Sequence, residues 1–347
     1  MKLAHWVSLP DNKGKSGLAS STSELIETEM GLLGAGNVSV CSPSPKTKKG
    51  GVIQKLRTKS VRLAPWDSVL NDPDTVHVIH TYCPYTLYDM KHKIVVTHGN
   101  AEYCWWNVVY DIAPPAWWQI VTLVRLSDAV VTWHDFDAQY WQELARGDVH
   151  VVRRGVDLNY WSPQGERLVS DVRPHLFYAD AMRMRKLPFA LLFAVKKIQR
   201  QLKYVQLRMI MSAPKKNIEW TNLITQLEID AFCPLIFGLL NDPRPTFRGA
   251  DMLISPLKGG LVSRTAVETM ACGTPIICFK GAAANNPIYG QRVDDTPEGI
   301  AAGVFRLWDK IQSDPEGEQK RARGLAEREW DIKETAKSII KICESVM

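Results

Sequence analysis

Gly249 to Phe279 reads GADMLISPLKGGLVSRTAVETMACGTPIICF. A short apolar run, Met252 to Ser255, enters a glycine-containing loop (LKGGLVS), and a helical stretch opens near Arg264 with Glu268 about one turn in. Gly273 stops that helix, and a second apolar run, Ile276 to Phe279, follows. Continuous short apolar runs separated by helical stretches are the pattern of strands buried on both faces, hence of a parallel sheet. A loop at the carboxyl end of such a strand, opening into a helix, offers free backbone N–H groups and the positive helix end to a phosphate. Glu268 beside that helix end suits the vicinal hydroxyls of a ribose, or is simply a solvated helix acid.

The same rhythm runs through the chain. Strands are expected at Lys2 to Ser8, Val38 to Cys41, Val76 to His80, Lys93 to Thr97, Ala129 to Thr132 and Val149 to Val152. A second set is expected at His175 to Ala179, Leu207 to Met211, Cys233 to Phe237, Met252 to Ser255 and Ile276 to Phe279. Ser20 to Leu33, with hydroxyls at its start and glycines after it, reads as a helix, and Gly317 to Met347 as a long terminal helix or helix pair. The 347 residues suggest two domains. The turn-rich segment between Val152 and His175 places their boundary near residue 165, giving 1–165 and 166–347. The terminal helices either stay with the second domain or cross back to the first. The fold class is α/β, two doubly wound Rossmann-like domains.

Composition excludes several classes. Hydrophobic residues at 45% and charged residues at 23% are those of a globular chain. The longest apolar run, Leu187 to Val195, is too short to cross a bilayer and is flanked by Lys and Arg. The N-terminus lacks the apolar core of a secretory signal, so a cytoplasmic location is expected, the host's cytoplasm for a viral chain. Seven cysteines without CxxC spacing imply reduced, mostly buried thiols and no zinc site. The net charge of +6 is modest, but Lys46 to Arg62 holds seven bases and no acid. That loop, through Lys55 and Arg57 among others, is either a solvated insertion or a contact for an anionic acceptor. Seven of the twelve tryptophans fall between Trp105 and Trp161. In the doublets Trp105-Trp106 and Trp117-Trp118 one ring of each pair turns from its neighbour, and such rings stack on sugar faces or bases.

The run ADMLISP…GGLVSRTAVETMACGTPII resembles the donor-nucleotide segment of retaining GT-B glycosyltransferases, the large family (glycosyltransferase family 4-like) that includes sucrose synthases and bacterial mannosyl- and glucosyltransferases. VVRRGVDLNYWSP (Val151 to Pro163) is similar to the family's interdomain turn, with Arg154 where an Asn is usual. VVTHGN (Val95 to Asn100) and SDAVVTWH (Ser127 to His134) are similar to its acceptor-domain strands. The resemblance covers most of residues 75 to 280. It implies two domains facing a cleft, and a hexosyl transfer with retention, without an essential metal or a cofactor beyond the nucleotide-diphosphate sugar itself. Gly17, Gly260, Leu261, Val262, Ser263, Arg264, Thr265 and Glu268 would bind the donor. His98, Arg183 and Lys186 would be catalytic, the last two on the diphosphate, with Trp105, Trp106, Lys55 and Arg57 on the acceptor. Two departures stand out. Gly260 replaces the first of the family's two glutamates, and Ala181 stands where its arginine belongs, so that Arg183, rather than Arg185, is taken to substitute. Asp294-Asp295 reads as a turn and helix cap, not a metal-binding pair. A nucleic-acid-modifying transferase, with DNA rather than a phosphorylated glycan as the anionic acceptor, and a decayed nucleotide-binding protein are the rival readings.

Overall fold

The computed structural model describes residues 1–7, 17–41, 63–80, 87–98, 114–180, 189–202, 204–211, 218–231, 233, 235–237, 240, 242–255, 262–280 and 286–347. Within these the chain forms two compact units, Met1–Gly155 with Ile332–Met347, and Val156–Asp331.

The first unit contains strands β1 (Lys2–Val7), β2 (Val38–Cys41), β3 (Thr75–His80), β4 (Lys93–Thr97), β5 (Ala129–Thr132) and β6 (Asp148–Val151), and helices α1 (Gly17–Leu33), α2 (Asp67–Leu70), α3 (Pro114–Leu126) and α4 (Asp135–Gln142). Its sheet is parallel throughout, in the order β2-β1-β3-β4-β5-β6. The order reverses between β1 and β3, the topological switch point at which ligands of doubly wound sheets bind. The inner strands β3, β4 and β5 are buried at every position while the edge strand β6 is not, which is why they read as nearly unbroken apolar runs.

The second unit contains β7 (His175–Asp180), α5 (Phe189–Gln201), β8 (Gln206–Met211), α6 (Ile218–Gln226), β9 (Leu235–Phe237), α7 (Arg244–Gly249), β10 (Met252–Ser255), α8 (Arg264–Ala271), β11 (Ile276–Phe279), β12 (Gly290–Val293), α9 (Pro297–Ser313) and α10 (Pro315–Glu329). Its sheet is also parallel, β12-β11-β10-β7-β8-β9. Counted from β7 this is the 3-2-1-4-5-6 order of dinucleotide-binding sheets, with its switch point between β7 and β10. The closing helix α11 (Ile332–Ser345) belongs to the first unit, where Ile332, Ala336, Ile339 and Cys343 join the core of Leu3, Val76, Val78 and Val96.

The division between the units lies ten residues before the expected one. The segment after Gly155 is turn-rich, yet it is bound into the second unit. Val156 N–H donates to Trp330 O at 2.9 Å. Trp161 is buried against Phe247, and Arg323 donates to the carbonyls of Trp161 (2.6 Å), Ala271 (2.7 Å) and Leu158 (3.1 Å). Arg248 likewise donates to Ser162 O at 2.7 Å. The turn residues mark a boundary in the sequence, while two arginines satisfy the carbonyls that let the turn pack.

Two elements were not anticipated. The edge strand β12 has a single buried residue, Val293, and so carries no apolar run. Its Gly290 sits at φ +139, and a Cβ there would meet Ile276 O at 1.8 Å. The short α7 is the other; strand β9 also begins two residues later than expected. The terminal stretch is a helix pair, α10 and α11. Asp294 and Asp295 lie in a turn: Asp294 pairs with Lys280, and the α9 cap is Thr296, whose Oγ1 accepts from Gly299 N–H at 3.0 Å. The five described cysteines, Cys41, Cys233, Cys272, Cys278 and Cys343, are all buried free thiols. Burial pushes the first four up to about 12 and Cys343 well above its ordinary value. No described helix is long and apolar enough to cross a membrane.

Candidate functional site

In the second unit, Ser263 caps α8, its Oγ accepting from Ala266 N–H at 3.0 Å. The same hydroxyl lies 3.3 Å from Ser255 Oγ at the end of β10, so the two ends of the intervening loop are held together. The far end of α8 closes with a Schellman motif: Thr274 N–H reaches Thr269 O (3.1 Å) and Gly273 N–H reaches Met270 O (2.9 Å), with Gly273 at φ +88. The helix is thus fixed at both ends, and its N-terminus stands at the carboxyl edge of β10, at the switch point.

Glu268 lies in the second turn of α8, nearly buried, and its Oε1 accepts from Arg264 Nε at 2.6 Å; the two side chains are 11% and 7% exposed. The carboxylate and guanidinium are therefore placed as a unit beside the helix start. Val262, Ser263, Arg264 and Thr265 come together there. Gly260 and Leu261 lie outside the described residues, as do Arg183 and Lys186 in the segment following β7.

In the first unit the carboxyl edge of the sheet carries a row of histidines. In the parallel register His5 pairs with Val78 and His80 with Val96, so His5, His80 and His98 descend one face diagonally, two residues per strand. His5 Nδ1 lies 3.0 Å from His80 Nε2, and His80 Nδ1 lies 2.8 Å from His98 Nε2. The rings of His5 and His80 are stacked, and Trp133 packs on His98 at 5.6 Å between centroids. At the inner end His5 Nε2 lies 2.8 Å from the carboxylate of Glu29, on α1, both side chains fully buried. Burial holds His80 and His98 well below the usual histidine range; the adjoining histidine and Arg154 act in the same direction. His134 is pushed down to about 4 by burial, then by Arg154. Arg154 is itself held by Ser21 Oγ of α1.

Sequence reasoning singled out His98 but missed His5, His80 and Glu29. Two histidines near the ends of neighbouring strands were a signal, but only the register shows that they touch. Gly17 is the first residue of α1. Trp105, Trp106, Lys55 and Arg57 lie outside the described residues. Among the described residues no group of three His, Cys, Asp or Glu side chains is arranged to hold a metal ion.

No known family profile and no curated protein matches the chain. Solved structures do. The chain is similar to a glycosyltransferase from Rickettsia africae ESF-5, at 17% identity and TM-score 0.72 over 99% of this chain and 98% of that one. It is similar to Anabaena Alr3699/HepE in complex with UDP, at 12% identity and TM-score 0.71 over 99% and 100%. It is also similar to sucrose-phosphate synthase from Thermosynechococcus elongatus, at 12% identity and TM-score 0.73 over 99% of each chain. The chain has the GT-B fold. In that fold the Rossmann-like second unit with its β10–α8 turn and the histidine-edged first unit each present a carboxyl strand edge, the side on which open α/β sheets take ligands.

Proposed function

We propose that the chain transfers a sugar from a nucleotide-diphosphate donor to a hydroxyl acceptor. The observation that carries this reading is the β10–α8 unit: a Ser263-capped helix N-terminus at the switch point of a dinucleotide-type sheet, with the buried Glu268 carboxylate fixed beside it. The helix end and the N–H groups of the β10–α8 loop would receive the diphosphate, and Glu268 the ribose hydroxyls. HepE, of the same fold, is described in complex with UDP, with UDP-glucose, and with UDP and glucose, which supports a nucleotide-sugar donor here. Arg183 and Lys186 would offset the charge of the leaving diphosphate, so that transfer proceeds with retention and without an essential metal. His98, with a lone pair or proton on its outer nitrogen, would hydrogen-bond a sugar hydroxyl.

The test is incubation with a panel of nucleotide sugars, with release of nucleoside diphosphate read by mass spectrometry in the presence and absence of candidate acceptors and of chelator. Slow release from at least one donor, abolished by Arg183→Ala or Lys186→Ala in a folded protein, is the expected result. Binding of the nucleotide with no release under any condition would leave a nucleotide-binding protein without transferase activity. Loss of activity on chelation would remove the metal-independent mechanism.

A further inference from the structure

Three arginines, Arg167, Arg173 and Arg248, line a cleft of about 200 Å³ in the second unit. It lies at the amino edge of the sheet, beside residues 249–251 and 273–275, which lead into β10 and β11, and against the first turns of α10. The acids of this cleft are already engaged. Asp251 accepts from Arg173 Nε at 3.1 Å, from Arg173 Nη2, and from His175 N–H at 2.7 Å. Glu318 accepts from Tyr289 OH at 2.9 Å and from Arg321 Nη2 at 2.6 Å. Glu316 stands on the rim, its side chain 88% exposed and 3.9 Å from Lys320.

Two of the cations are not engaged in this way. Arg248 is 9% exposed, and its contacts are with carbonyls: Nε donates to Ser162 O at 2.7 Å and Nη1 to Glu166 O at 3.4 Å. Its Nη2 meets no acceptor among the described residues and is not sealed from solvent. Carbonyl oxygens accept its protons but bring no counter-charge, and a buried charge without one is costly. The neighbouring acids are taken, Asp242 by Arg244 and Glu327 by Arg323. Arg167 has a single contact, Nη2 to Gln319 Oε1 at 3.3 Å. Gly165, at φ +113, lies against the Arg248 guanidinium where any Cβ would collide with it, so the loop that carries Arg167 is fixed on Arg248.

We propose that this cleft binds a small doubly charged oxyanion, phosphate or the phosphate group of a small ester, between Arg248 and Arg167. Two uncompensated guanidinium groups match a dianion in charge, and their N–H forks match its oxygens. The volume is about six times a water molecule's share of the liquid, room for a phosphate and a few further atoms but not for a nucleotide. Val169 and Ile311 offer apolar wall to the carbons of an ester. The site is distinct from the β10–α8 turn, which stands at the other end of β10, a strand about 13 Å long. It does not rest on the transferase reading.

The experiment titrates the full chain with inorganic phosphate and with glycerol phosphate by calorimetry, at fixed ionic strength. Binding of at least one is expected at millimolar concentrations or below. Tighter binding of glycerol phosphate names an ester as the ligand; equal or weaker binding names free phosphate. Arg167→Gln should weaken the affinity by about threefold or more, and Glu316→Lys should tighten it by about as much, the range for exposed charges. Both side chains are exposed, so these variants are expected to fold. Arg248→Lys keeps the charge but loses the fork, and should weaken binding further. No binding of either probe overturns the proposal. So does an affinity unchanged in both Arg167→Gln and Glu316→Lys, and so does displacement of the bound phosphate by UDP, which would place it in the donor site.

Discussion

Replacing Glu268 by alanine separates two tasks that meet in one carboxylate, holding Arg264 and, in the proposed function, holding a ribose. The contact with Arg264 Nε is 2.6 Å between side chains 7% and 11% exposed. Truncation takes the Glu268 carboxylate from a nearly buried guanidinium, a loss of about 3 kcal/mol, and hence a fall in Tm on the order of 6–12 °C for a unit of this size. Glu268→Gln keeps the volume and an acceptor oxygen for Arg264, so its loss should be nearer ~1 kcal/mol. Ribose hydroxyls bound to a carboxylate are worth ~1.5–3 kcal/mol, so alanine should weaken nucleoside diphosphate binding by roughly ten- to a hundredfold, and glutamine by less. Calorimetric titration on variants shown to be folded, beside scanning calorimetry, reads both effects. A large fall in Tm with unchanged nucleotide affinity would refute the ribose role and leave Glu268 as the structural partner of Arg264.

Three further outcomes are expected. Arg323→Ala should destabilise the second unit by ~2–4 kcal/mol in urea, because three backbone carbonyls, of Leu158, Trp161 and Ala271, lose their charged donor; an effect below about 0.5 kcal/mol would show that the turn is not held this way. Burial holds His77 and His134 down at about 4 against 6.5 for an ordinary histidine. The unfolded chain therefore binds more protons than the folded one between those values, and stability should fall as pH drops from 6.5 towards 4. His77→Gln with His134→Gln should flatten that slope in urea midpoints, and a rise in stability on acidification would contradict it. Ser263→Ala should cost about 1 kcal/mol through loss of the α8 cap, measured by the same denaturation, and should weaken nucleotide binding through the loosened helix start; unchanged values for both would detach the cap from the site.

The parallel sheets were legible because their inner strands, such as Met252–Ser255 and Ile276–Phe279, are buried on both faces and read as plain apolar runs. β12 was not, since an edge strand needs only one inward residue and a glycine that fits against Ile276 O. Composition places the boundary near residue 165 and the compact units divide at Gly155, because composition shows turn formers but not the arginines, more than eighty residues away, that bind their carbonyls. In the candidate site, the β10–α8 geometry followed from local signals: a strand, a cap at Ser263 and a glycine stop at Gly273. The Glu29–His5–His80–His98 row had no local signal, because its members lie on four elements and meet only through the register of β1, β3 and β4.

The central claim, that this chain handles an activated sugar, is tested most directly by calorimetric titration of the intact protein with nucleoside diphosphates and their sugar conjugates, followed by mass spectrometry of the bound mixture. The account predicts binding of at least one nucleoside diphosphate, weakened roughly tenfold or more in Glu268→Ala, and slow release of the diphosphate from its sugar conjugate. No binding of any nucleotide or nucleotide sugar by the folded protein would contradict it.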